Sequence, residues 1–77
     1  MTHTKEMYEL AKESINYAHN ELLRAKIALN EAKNKGLNEE RIAFIESHVT
    51  QNKAALEHFI TEGKQLQAQL KEENQNG

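Results

Sequence analysis

Four histidines and a scatter of glutamates are the side chains of this 77-residue chain that could hold a metal or move a proton. Metal sites inside helical bundles use a Glu-x-x-His spacing, which sets a carboxylate and an imidazole on one helix face. Glu46-Ser47-His48 and Glu57-His58 miss that spacing, and among His3, His19, His48 and His58 no two stand three or four residues apart. His58 and Glu62 do stand four apart, yet two ligands on a wetted face do not make a metal site. Aspartate is absent, so carboxylate catalysis would fall to glutamates. Glu9, Glu13, Glu21 and Glu31 instead alternate with Lys5, Lys12, Lys26 and Lys33, the pattern of a solvated face with ion pairs. Ser14 and Ser47 lack a glycine elbow and a histidine at triad position. No glycine-rich loop could cradle a phosphate. With no cysteine, disulfides and thiolate metal sites are excluded. The expectation is a protein that is not an enzyme and uses no cofactor and no metal.

The elements carrying these side chains are written in a seven-residue repeat. Tyr8, Ile15, Leu22 and Leu29 occupy one heptad position, and Ala11, Ala18, Ala25 and Ala32 the other. A methyl side chain lets a second helix approach where a leucine would hold it off. A second seam runs Ile42, Ile45, Val49, Asn52, Leu56, Phe59, Gly63, Leu66, Leu70. Between the two lies Asn34-Lys35-Gly36-Leu37-Asn38. Gly36 suits the left-handed residue after a helix, Leu37 can fold back on Ala32, and Asn38 can cap the next helix with Glu39 and Glu40 in its first turn. Proline is absent and β-branched residues are few.

The fold class that follows is all-α: a long antiparallel hairpin with helices at about residues 4–35 and 38–72, and a single domain ending in a frayed tail at 73–77. Thr4 is the expected N-cap. Laid antiparallel about the turn, Ala32 meets Ile42, Leu22 meets Asn52, Ala18 meets Leu56, Ile15 meets Phe59 and Ala11 meets Gly63. Gly63 either ends the second helix or marks a close backbone approach, and the unbroken phase through Leu66 and Leu70 favours a continuous helix. Asn52, an amide within the seam, either fixes register or faces water.

Two helices bury only a stripe each, and apolar side chains spill beyond it. Leu10, Tyr17 and Ala28 fall on one flank of the first helix, with Leu23 and Ile27 on the other toward the back. Phe44 and Ala55 flank the second seam and Ile60 broadens it. Tyr8 and Phe59 read as core, whereas Tyr17 and Phe44 read as interface anchors or as half-buried within a dimer. The economical assembly is a homodimer making a four-helix bundle, with Leu10, Tyr17, Leu23, Ile27, Phe44 and Ile60 at the interface. A higher helical oligomer and a helix of another protein lying in the groove are the alternatives for such a face. The formal charge of −2, without a basic face, excludes nucleic acid as the expected partner. No stretch approaches a membrane span and no leader is legible, so a soluble cytoplasmic protein is expected.

Leu23-Arg24, Lys35-Gly36-Leu37 and Ser47-His48-Val49-Thr50-Gln51 together resemble the small sporulation-control phosphatases of spore-forming bacteria, which are also short helical hairpins. The likeness covers about thirty residues. It implies a phosphatase acting on response regulators, but the catalytic acid of that family would fall on Gln51, whose amide cannot serve as a carboxylate. The secreted hairpins with a Trp-x-Gly turn are similar in shape, though this chain has no tryptophan. Three functions therefore stand as expectations: a self-associating regulatory or adaptor protein of bacterial or phage type, a degenerate phosphatase of that kind, and a purely structural bundle subunit.

Overall fold

Helix-favouring composition and paired seams give an all-α hairpin. In a computed structural model, which describes residues 3–76, α1 (His3–Asn34) and α2 (Glu39–Asn76) pack against each other along a rod of 59 × 14 × 14 Å. Every seam position of both helices is buried or half-buried. The most enclosed apolar side chains are Ala32, Ala18 and Leu22, at 3, 5 and 7 % exposure. Two of those three are seam alanines, as expected where small residues admit the second helix.

The turn closes by backbone chemistry. Gly36 has φ +70°, Leu37 N–H donates to Ala32 C=O at 3.1 Å, and Gly36 N–H donates to Lys33 C=O at 3.2 Å. This pair of bonds is the Schellman ending, and Leu37, which follows Gly36 at the position where that motif carries an apolar residue, is half-buried. Asn38 then caps α2: its Oδ1 accepts from Arg41 N–H at 2.9 Å, and its carbonyl accepts from Ile42 N–H at 3.1 Å.

The ends differ from the sequence expectation. α1 already includes His3, so Thr4 lies inside the helix and is not its cap. Its hydroxyl instead donates to Glu73 Oε2 at 2.6 Å, tying the two open ends together. α2 correspondingly runs past residue 72 to Asn76, so most of the expected tail is helical. Gly77 lies outside the described residues. No glycine or proline interrupts residues 64–76, and Glu73 gains a partner across the hairpin.

α2 is continuous through Gly63, which is buried. A Cβ built there would stand 3.3 Å from Ile15 Cδ1. The sequence register sets Ala11 opposite Gly63, but the long side chain of Ile15 leans toward the N-terminus of α1 and reaches that layer. Among the described residues no helix is long and apolar enough to cross a membrane.

Gly36→Ala meets no steric obstacle within 4 Å, so its cost is the left-handed backbone alone, about 1 kcal/mol. Asn38→Ala removes the cap and costs about 1 kcal/mol. Gly63→Ala gains up to about 1 kcal/mol of helix propensity if the terminal methyl of Ile15, 3.3 Å from the new Cβ, gives way. Urea unfolding followed by circular dichroism checks all three, and a lowered midpoint for Gly63→Ala would show that the Ile15 contact is rigid.

Candidate interaction surface

The side chains that could do chemistry are scattered along the rod. His58 Nε2 and Glu62 Oε2 pair at 2.9 Å across one helical turn, with both side chains well solvated. His48 stands edge-on to Phe44, ring centroids 4.7 Å apart. Among the described residues no three His, Cys, Asp or Glu side chains come together as metal ligands. Gln51 is exposed, and its amide nitrogen donates to Ser47 Oγ at the long distance of 3.5 Å. The position offers no carboxylate for a phosphatase reaction. The ion pairs Glu9–Lys12 and Glu21–Arg24, at 3.4 and 3.5 Å, are turns of solvated helix.

Asn52 is half-buried in the seam, and its Nδ2 donates to His48 C=O at 2.9 Å, within its own helix. Its donor is thus partnered without α1, in the same manner as Thr50 to Glu46 and Thr61 to Glu57.

What the surface does present is apolar. Of the six expected interface residues, Leu10, Tyr17, Leu23, Ile27 and Phe44 are exposed and Ile60 is half-buried. Tyr17 and Phe44 lead at 68 and 67 % exposure, and Met7, which sequence reasoning passed over, joins them. Their heptad positions divide the six between two flanks. Leu10 and Tyr17 border a shallow hollow with Glu13, Ser14 and half-buried Phe59. Beside it, Met7 and Leu10 of α1 line a second hollow with Glu62 and Leu66 of α2. Glu62 pairs with His58, and His58 lies two heptads beyond Phe44, so Phe44 shares that flank. Phe44 itself lines a hollow near the turn with Leu37, Glu40, Arg41 and Ile45.

Leu23 and Ile60 fall on the opposite flank, and Ile27 at the back of α1. The opposite flank also carries a periodic charge that the alternation of signs conceals in the linear sequence. Lys5, Lys12, Lys26 and Lys33 recur at seven-residue intervals, with His19 in the remaining place. Lys53 and Lys64 border Ile60 on α2. Their heptad positions place them across the seam from Leu10 and Tyr17.

No protein-family model matches this chain, and neither do any curated protein and any solved structure.

Because the amide of Asn52 is partnered intrahelically, Asn52→Leu adds apolar contact opposite Leu22 and raises stability by about 1 kcal/mol. The variant keeps a single mass in light scattering. A mixture of masses would instead assign Asn52 the task of fixing register.

Proposed function

We propose that this chain is a protein–protein interaction module that works by self-association, each hairpin supplying two helices of a four-helix bundle and acting as a small regulatory or adaptor protein. The supporting observation is the thinness of its core. A compact chain of 8.8 kDa exposes about 4,800 Å². This hairpin exposes 6098 Å². The excess, about 1,300 Å² per chain, is larger than the ~800 Å² that each partner buries in a standard interface. Small scaffolds without disulfides or a structural metal commonly gain their missing stability by oligomerising. Exposed Leu10, Tyr17, Leu23, Ile27 and Phe44 with half-buried Ile60 are the apolar side chains available for it.

Light scattering after gel filtration at micromolar concentration is expected to give twice the 8.8 kDa chain mass. Thermal unfolding is expected to shift upward with concentration, as it does when folding and association are linked. A monomer mass at every concentration, with the helical circular dichroism intact, overturns the proposal.

A further inference from the structure

The two flanks of the hairpin differ in kind, and the difference points to the surface that a second copy would cover. Leu10, Tyr17 and Arg24 follow one another at seven-residue intervals along one flank of α1. Phe44, Gln51 and His58 do the same along the adjoining flank of α2. Between these lines lie Met7, Ser14, Glu21, Ala28, Arg41, His48, Ala55 and Glu62. This flank therefore holds both arginines of the chain, the two most exposed aromatic rings and an exposed methionine, and it holds no lysine. The other flank carries the lysine stripe.

Interface cores are enriched in Tyr, Phe, Met and Arg and depleted in Lys. The reason is physical. Aromatic rings bury much area at little rotamer cost, and a guanidinium gives up hydration more easily than an ammonium. A lysine stripe is the costly one to desolvate. The aromatic flank is also continuous with the seam, since its hollow descends between Leu10 and Tyr17 to Phe59. A docking side chain there would extend the existing core and would not have to start a separate one. Its charges are of both signs, Arg24 and Arg41 against Glu21, Glu31, Glu62 and Glu72, so a second copy of the same flank can set its arginines against the glutamates of the first.

We infer that the flank bearing Met7, Leu10, Tyr17 and Phe44 is the surface on which a second copy of this chain docks, and that the flank bearing Lys12, Lys26 and Leu23 stays in water. This rests on the self-association proposed above and adds to it which face is used.

Two paired variants test it. Tyr17→Lys with Phe44→Lys is expected to reduce the light-scattering mass to that of one chain at concentrations where the parent is a dimer. Leu23→Lys with Ile27→Lys is expected to leave the dimer mass unchanged. All four side chains are exposed in the hairpin, and circular dichroism verifies that each variant stays helical. A measurement that leaves the apolar face intact supplements them. Since the chain has no cysteine, Gln51→Cys and Thr50→Cys report singly from the two flanks. Maleimide labelling of Gln51→Cys should slow at least ~10-fold between dilute and dimer-forming concentrations, while that of Thr50→Cys should not change. Dimer loss through Leu23 and Ile27, or protection at Thr50, or equal labelling at both positions overturns the choice of face and leaves self-association standing. A parent chain that is monomeric throughout overturns both.

Discussion

Four alanines at seven-residue intervals set the terms for everything else in this molecule. A methyl group at Ala18 and Ala32 leaves room for the larger residues of α2 to lie directly against α1, and both alanines are almost fully enclosed as a result. Such contact gains dispersion along a line, yet each layer contributes little apolar area. The hairpin is therefore well registered and thinly stabilised at once. Ile15 over Gly63 is the extreme of this arrangement, where even a methyl would be close. The glycine gives up helix propensity in return for contact with a branched side chain on the facing helix.

A thin seam leaves the flanks undercovered, which makes the fold and its assembly one energetic question. Enclosing Leu22 and two alanines does little against the conformational entropy of ordering some seventy residues. The apolar side chains left outside are large ones, and the most exposed are aromatic. Tyr17 and Phe44, the most exposed of them, stand on the flank away from the lysine stripe. The imidazoles of His48 and His58 spend themselves on a ring contact and one carboxylate, and the hollows along the rod are shallow.

How far the sequence could be read depended on whether the deciding interactions were local. The turn was legible to the level of its hydrogen bonds, because Gly36, Leu37 and Asn38 act through backbone within five residues. The seams were legible because period and burial are the same fact in a helix. The ends were not, since Thr4 found its partner sixty-nine residues away in Glu73, and no local rule announces such a bond. Asn52 was ambiguous because an amide can bond its own helix as well as a facing one, and only coordinates distinguish the two. The split of Leu10 and Tyr17 from Leu23 and Ile27 was legible in the heptad of α1, whereas which of these flanks adjoins Phe44 needed the register of both helices at once. The lysine stripe was present in the spacing all along, hidden by interleaved glutamates that make the local charge look balanced. Function was the least legible, because none of the spacings in the sequence is specific to one reaction or one ligand.

The cross-helix layers are nested one inside another, from Ala32 with Ile42 beside the turn to Thr4 with Glu73 at the open end. Each layer, once made, shortens the loop that the next must close, so the chain entropy is surrendered in small instalments. A rod of nested layers is thus favoured to close from the Gly36 turn outward. The open end, held by the single exposed bond of Thr4 to Glu73, is the place where such a rod parts most cheaply.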